Sequence, residues 1–156
     1  MSSPELDEVD KRILNLLQTD ATLPLKTIAE QVHASVATCQ RRITAMTQSG
    51  VIAKQVAIID PTMLGYDVSV FVWIEMVRQN NAMQNGFERL MNRLAQVINC
   101  YEISGDYDFL VLIHAKNMAD YHRFTRNNFT YENNVSRFHS QFVMNFAKLG
   151  TKIELD

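Results

Sequence analysis

Two adjacent arginines stand in a stretch of the chain that contains no acidic residue. Arg41 and Arg42 lie within residues 31–59, where neither Asp nor Glu occurs. A guanidinium group without a local carboxylate partner can bind phosphate, and Arg can also bridge the O6 and N7 atoms of guanine. The pattern favours a surface for duplex DNA over a plainly solvated helix face. The candidate DNA-binding residues are Ser35, Thr38, Gln40, Arg41, Arg42 and Lys54.

A second polar cluster occupies residues 104–108, which read Ser-Gly-Asp-Tyr-Asp. One interpretation is a hairpin turn that uses the backbone preferences of Gly and Asp. The other is a binding site, because outward turn amides can hold a carboxylate and an Asp side chain can pair with an ammonium group. A free α-amino acid presents both groups. The residues alone leave both interpretations open.

Three helices are expected to carry the arginines. "LDEVDKRILNLLQ" and "LKTIAEQV" repeat apolar residues at helical spacing, with Asp7 as a candidate N-cap for the first. Ser35 can cap the third helix and Gly50 can end it. A short helix, a turn and a helix with a polar outer face form the helix-turn-helix layout. Residues 1–52 are predicted to be a three-helix, winged-helix-like DNA-binding domain.

The phase of the third helix predicts where its side chains point. Advancing by 100° per residue from Val36 gathers the apolar residues within about 80° of arc. Thr38, Arg41 and Arg42 then gather on the opposite side, so we expect both arginines to be outward and free of carboxylates of their own chain. The expected core stripe is Val36, Cys39, Ile43 and Met46.

Beyond residues 53–66, which we interpret as a hinge strand or linker, the apolar period changes to two. The order strand–helix–strand–strand–helix–strand over residues 67–156 predicts a ferredoxin-like βαββαβ sandwich, and an α+β chain as a whole. Two helices cover one face of such a sheet. Phe71 and Trp73 make the other face apolar as well, which predicts a homodimer packed sheet to sheet. The alternative is that the N-terminal helices or the tail cover this face.

Composition narrows the class of protein. The chain has 156 residues, 47% of them apolar, and a net charge of −2, which argues against indiscriminate coating of nucleic acid. Cys39 and Cys100 are far apart and lack metal-ligand spacing, as expected of buried free thiols in a reducing cytoplasm. The longest apolar runs are too short for a membrane span. We expect a cytoplasmic protein without a metal or cofactor.

The motifs together resemble the Lrp/AsnC (feast/famine) family of transcriptional regulators. The resemblance rests on "LDEVDKRILNLLQTDA", "IAEQV", "SVATCQRRITAMTQSGVI" and "ISGDYDFLVLI", which cover nearly the whole chain in order. It implies a helix-turn-helix domain, a hinge strand and a dimerising sandwich domain. It also implies assembly of dimers into tetramers, octamers or larger rings, and control by small molecules, often amino acids. Two positions depart from the family: His33 replaces a usual glycine, and Pro24 replaces a frequent capping Ser.

In proteins similar to this one the effector lies near the glycine-aspartate turn, at the contact between dimers. The resemblance thus favours ligand binding over a plain hairpin. Phe142 is a weaker candidate that is more typical of a core, and with Val143 it favours an apolar amino acid such as leucine or methionine. A ligand that bridges subunits would act on assembly. The implied ligand-binding residues are Glu102, Ser104, Gly105, Asp106, Tyr107, Asp108, Met118, Gln141 and Val143.

Two other functions remain as alternatives. Some proteins similar to this family are tetrapyrrole-modifying enzymes that use histidines of the sandwich domain, and this chain has three there: His114, His122 and His139. An acid-free recognition helix argues against an enzyme. The third interpretation is an architectural DNA-binding protein without an effector, against which the retained turn residues count.

Overall fold

The computed structural model describes residues 5–155, which contain five α-helices, one 3₁₀ helix and four strands. The chain divides into two compact units. The recognition unit runs up to Ile58 and takes in the chain again from Lys148, and the sandwich unit is Ile59–Ala147. The elements are α1 Glu8–Leu17, α2 Leu25–Val32, α3 Val36–Gln48, the 3₁₀ helix Pro61–Leu64, β1 Val68–Met76, α4 Asn81–Met91, β2 Val97–Glu102, β3 Phe109–Ala115, α5 Met118–Asn128 and β4 Val135–Phe142. None of these helices is long and apolar enough to cross a membrane.

The predicted N-caps are present at the starts of α1 and α3. The Asp7 side chain accepts the amides of Val9 and Asp10, and Asp10 accepts the Asp7 amide in return, which completes a capping box. Ser35 caps α3 by accepting the Thr38 amide. His33 ends α2 in the left-handed region, with φ of 56°, so this histidine takes the conformation for which glycine is usual.

The core of the recognition unit lies between the three helices and corrects the predicted phase of α3. Cys39 and Met46 are buried, whereas Val36 is 44% exposed and lies outside the core. Val36 is the first residue of α3, and the buried side of the helix is rotated away from it. The other fully enclosed side chains of this core come from the first two helices, among them Ile13, Ile28 and Val32.

The end of the described chain returns to α1. The Gln18 side chain donates from Nε2 to the Ile153 carbonyl at 3.0 Å and accepts the Ile153 amide at 2.7 Å. Asn15 donates to the Leu155 carbonyl at 3.2 Å, and the Leu155 side chain packs on the three-helix core. From the sequence, residues 148–156 are predicted to belong to the sandwich domain. The part of this segment that the structure describes belongs to the recognition unit.

Residues 53–60 are exposed and belong to no helix or strand. The predicted hinge strand does not form within this single chain. Asp60 then caps the 3₁₀ helix through the Thr62 amide, and Gly65 ends it.

The sandwich unit confirms the ferredoxin-like prediction. Its antiparallel sheet has the order β2-β3-β1-β4, and α4 and α5 pack on one face. Alternation puts Val70, Val72 and Ile74 under the helices, where they are fully buried with Phe87 of α4 and Phe124 of α5. β4, the last strand, ends at Phe142.

The other face of the sheet, called here the open face, carries no helix of the sandwich unit. Phe71 and Trp73 of β1 lie there beside Leu110 and Leu112 of β3, and all four are partly exposed. The apolar open face predicted from the sequence is therefore present.

Candidate DNA-binding face and effector turn

Arg42, predicted to contact DNA, is held by carboxylates of its own chain. Its Nη1 lies 2.6 Å from Asp7 Oδ2 and 2.9 Å from Asp10 Oδ1. The Arg42 side chain is 23% exposed, and its Nε is buried without a hydrogen-bond partner among the described residues. The prediction that both arginines are outward and unpaired is wrong for Arg42.

The phase of α3 explains this pairing. Measured from the buried pair Cys39 and Met46, Arg42 is rotated by only about 50°, whereas Arg41 is rotated by about 150°. Arg42 therefore flanks the core and reaches the N-terminus of α1. Asp7 and Asp10 already cap that terminus, so the same carboxylates cap α1 and tie α3 to it. The Leu-Asp-x-x-Asp opening was the signal for these partners, but it lies more than thirty residues away in sequence.

The ion-pair network shifts the pKa values of Asp7 and Arg42. The pKa of Asp7 is lowered, first by the hydrogen bond from the Asp10 amide and then by that from Arg42. The pKa of Arg42 is raised by its hydrogen bonds to Asp10 and Asp7. The charged forms of Asp7 and Arg42 are thus favoured in the folded recognition unit, where Arg42 has a structural role.

Arg41 lies on the outward side of α3, as predicted. Its side chain is exposed, and it makes no hydrogen bond or ion pair with any residue in the described range 5–155. Gln40 is exposed on the same side and donates to Thr44 Oγ1 at 3.3 Å. Ala37, one turn earlier, is small and exposed. The surface around the Arg41 guanidinium is therefore polar and carries no other charge from these residues. Such a surface can contact base edges and phosphates.

The remaining DNA-binding candidates have different surroundings. The Ser35 hydroxyl accepts the Thr38 amide at 3.1 Å and donates to Thr38 Oγ1 at 2.9 Å, so both side chains shape the start of α3. Lys54 is exposed in the extended segment after α3. Lys26 is an exposed cation on α2 that the sequence analysis missed because it considered only residues 31–59.

The Ser-Gly-Asp-Tyr-Asp segment forms the predicted connection between β2 and β3. The Ile103 amide donates to the Asp108 carbonyl at 2.9 Å and closes the turn. Gly105 has φ of 117°, which disfavours any residue with a Cβ there although the space beside it is empty. Ser104, Gly105 and Asp106 are exposed at its tip.

The two carboxylates of the turn are used differently. Asp108 Oδ2 accepts the amide of Met76 at 2.7 Å, and the Asp108 amide donates to the Ile74 carbonyl. This contact lies where the β1–β4 ladder shifts register, between Glu75 and Met76. Asp108 therefore satisfies an amide at an irregularity of the sheet, whereas Asp106 accepts no hydrogen bond from the described residues.

Tyr107 attaches the turn to the open face. Its ring centroid lies 5.8 Å from that of Trp73, and the Arg137 guanidinium carbon lies 5.8 Å from the Tyr107 centroid. Trp73 Nε1 donates to Gln141 Oε1 at 2.8 Å. Arg137 forms an ion pair with Glu75. Of the predicted ligand residues, Gln141 is thus linked to the turn through an aromatic pair.

Three other ligand candidates do not share a pocket with the turn tip. Met118 begins α5 after β3 has run about 20 Å away from the turn. The Val143 amide donates to the Ser69 carbonyl, at that same far end of the sheet. Glu102 is beside the turn but on the helix-covered face, where it accepts from Gln84. The predicted ligand residues therefore do not all come together within a single chain.

The weaker candidate Phe142 packs edge-on against Tyr121, with centroids 5.5 Å apart. It points to the helix-covered face of the sheet but remains 42% exposed, so it is not part of the core. Within residues 5–155 there is no group of three or more His, Cys, Asp or Glu side chains that could hold a metal ion.

Two family models match the chain. Residues 6–47 match the AsnC-type helix-turn-helix domain, and residues 69–153 match the Lrp/AsnC ligand binding domain. The chain is also 51% identical over 150 residues to an HTH-type transcriptional regulator of Haemophilus influenzae, a match that covers 96% of this chain and 89% of the relative.

Solved structures share the fold. An AsnC family transcriptional regulator from Agrobacterium tumefaciens has a TM-score of 0.88 and 30% identity, over 96% of this chain and 97% of the other. The transcriptional regulator NMB0573 of Neisseria meningitidis, in complex with L-Met, has a TM-score of 0.91 over 97% of this chain and 98% of the other. At 22% identity, the second match shows the fold alone.

Proposed function

We propose roles for individual residues of this chain, which belongs to the Lrp/AsnC family. Members of this family are effector-modulated DNA-binding transcriptional regulators, and this chain is therefore such a regulator and not an enzyme. Arg41 on the outward side of α3 contacts the operator. The protein acts as a homodimer that assembles into tetramers or octamers, and a free amino acid controls that assembly.

The free guanidinium of Arg41 is the observation that carries the proposed DNA contact. Arg42, its neighbour, is tied to α1, whereas Arg41 is exposed beside Gln40. Arginine bound to guanine contributes about 1–3 kcal/mol of discrimination between bases. Gln40 can bond adenine, and Lys54 and Lys26 supply cations for phosphates. Ser35 and Thr38 set the N-terminus of α3 and contact phosphate from there.

The open face supports the proposed dimer. Phe71, Trp73, Leu110 and Leu112 remain partly exposed on one side of the sheet, while the helices cover the other side. Contiguous exposed apolar surface of this kind typically marks an interface. A symmetric pair of open faces would bury these residues and present two copies of α3 to successive half-sites of one duplex.

The turn supports a zwitterionic effector. Asp106 has a free carboxylate for an ammonium group, and the amides around Gly105 can hold a carboxylate. Ser104 and the Tyr107 edge flank them. Met118 and Val143 lie at the other end of the sheet, so we propose that a second copy contributes them, which makes the site complete only in the assembly. Their apolar side chains, with Phe142 nearby, favour an effector such as leucine or methionine.

A role in transcriptional regulation also bears on the cellular location of the protein. We place it in the cytoplasm, where it can reach bacterial or archaeal DNA, and the two thiols support this placement because neither forms a disulfide.

A thermal-shift screen of the twenty amino acids, followed by sedimentation with and without each hit, tests the proposal. An effector at a hundredfold excess over its Kd stabilises the bound form by about 2.7 kcal/mol. We expect an apolar amino acid to raise the midpoint and shift the mass distribution. A wild-type protein whose midpoint and mass respond to none of the twenty would contradict the effector assignment while leaving DNA binding intact.

A further inference from the structure

The outer surface of the sandwich unit carries cations that the functions above do not use. The exposed residues of α4 and α5 include Arg89, Arg123 and Arg126. Arg93 follows α4, and Lys116 precedes α5; both are exposed. We call these five residues the basic layer.

Helix phase makes three members of the layer point the same way. In α4, Phe87 and Met91 face the sheet, and Arg89 lies about 180° from their mean direction. In α5, Tyr121 and Phe124 face the same sheet, and Arg126 and Arg123 lie within about 50° of the opposite direction. Both helices cover one side of the sheet, so the three guanidinium groups project from it on the same outer surface.

The acids near the layer are turned aside or occupied. Glu88 lies on the side of α4 toward β2. Burial of the Cys100 thiol, and to a smaller extent the charge of Glu88, raises the pKa of Cys100 to about 11. The Asp120 carboxylate accepts the Lys116 amide and Gln96 Nε2, both at 3.2 Å. Its contact with Arg123 is long, 3.4 Å, and the Arg123 side chain remains 68% exposed. The layer is thus positive although the whole chain has a net charge of −2.

The layer also contains room for an anion. An open polar cleft of about 330 Å³ lies between Lys116 and Arg123 and is lined in addition by Tyr66, Gln96, Asn117 and Asp120. Its two cations, two amide side chains and one phenol carry hydrogen-bond donors suited to phosphate oxygens.

We propose that the basic layer binds the phosphate backbone of duplex DNA, as a second contact surface apart from α3. Its positive charge complements the phosphates of the one macromolecule that this regulator is established to bind. Contacts of this type are independent of sequence and add to affinity through counterion release. The inference rests on DNA binding, and on neither the proposed effector nor the proposed dimer.

The salt dependence of binding to a long duplex of random sequence tests the proposal. Each lost phosphate contact should reduce the slope of log K against log salt by about 0.9. The variant Arg123→Gln/Arg126→Gln should therefore have a slope that is less steep by about 1–2. Arg123→Lys/Arg126→Lys keeps the charges and should restore the wild-type slope.

The matched control is Lys148→Gln/Lys152→Gln, which removes the same charge from exposed positions outside the layer. We expect it to keep the wild-type slope. Three results would each overturn the proposal: an unchanged slope in the arginine variant, an equal loss in the lysine control, or a change in sedimentation mass of the arginine variant without DNA. The last would make the layer a contact between copies. Arg41→Ala, measured in parallel, reports on α3 separately.

Discussion

Helix α3 and the turn of residues 104–108 each contain two like-charged residues close together, and in each pair one residue has a structural partner within its own unit. Arg42 is bound by two carboxylates of α1, while Arg41 is exposed and unpaired within residues 5–155. Asp108 accepts the Met76 amide, while Asp106 accepts nothing from the same range. In both regions the free member points outward and the used member points toward the body of its own unit.

The two regions differ in what the used residue contacts. Arg42 joins two helices through two carboxylate partners, so its role requires a cation at that position. Asp108 contacts a backbone amide at a register shift in the sheet, and any short acceptor at that position could do the same. Residue type alone therefore does not separate a ligand-binding charge from a structural one. The direction of the side chain relative to the core does.

Arg41→Ala should have the largest effect on function. Loss of its base contact should weaken operator binding by about 5- to 150-fold, corresponding to about 1–3 kcal/mol. The thermal midpoint should not change, because the exposed side chain makes no hydrogen bond or ion pair with a described residue. Gel-shift titration and a thermal melt measure the two quantities. Equal operator affinity in variant and wild type would remove Arg41 from the interface.

Asp106→Ala and Asp108→Ala should separate effector binding from stability. Asp106→Ala should lower effector affinity by about 10- to 100-fold, the range of a charge-assisted hydrogen bond, with an unchanged midpoint in the absence of effector. Asp108→Ala should lower the free energy of unfolding by about 1–3 kcal/mol, because the Met76 amide loses its acceptor. Calorimetric titration and denaturant unfolding test the pair. Identical behaviour of the two variants would refute the division of roles.

Arg42→Ala should lower the thermal midpoint of the recognition unit by a few degrees, because Asp7 and Asp10 lose their shared cation. Below that midpoint, the variant should retain most of its operator affinity. Arg42→Lys keeps one charge and should fall between the two proteins. A variant with the wild-type midpoint and poor operator binding would return Arg42 to the DNA interface.

The smallest effect should be a shift in the pH at which the protein unfolds in acid. The folded pKa of Asp7 is below the ordinary value of 3.8, so its contribution to stability is complete above that value and is lost as pH falls through the lowered pKa. Arg42→Ala should move this loss to higher pH, but only partly, since the Asp10 amide is the larger cause. Acid unfolding followed by circular dichroism measures it, with Arg41→Ala as the control. Superimposable acid transitions for wild type and Arg42→Ala would count against the network.

Periodicity predicted most of the fold because each element buries one face. The alternation from Val68 to Met76 identified β1, and the order of elements identified the ferredoxin-like sheet. The surroundings of the candidate DNA-binding residues were harder to predict from the sequence. Counting Val36, an exposed first residue, in the core stripe misplaced the core of α3, and the carboxylates that bind Arg42 come from the start of another helix. The contact between Gln18 and Ile153 spans 135 residues and involves a side-chain amide, a pairing for which no local pattern exists.

That last contact affects how the protein can be divided. The recognition unit is made of two separate pieces of chain, and the backbone leaves it after Ile58 and re-enters it at Lys148. A single protease nick in residues 53–60 would leave the two units covalently joined through the second crossing. A fragment ending at Ile58 would lack Leu155, which packs on its core, and the backbone partner of Gln18. The smallest complete folding unit for this DNA-binding module therefore includes the returning segment, joined to it by a short engineered linker.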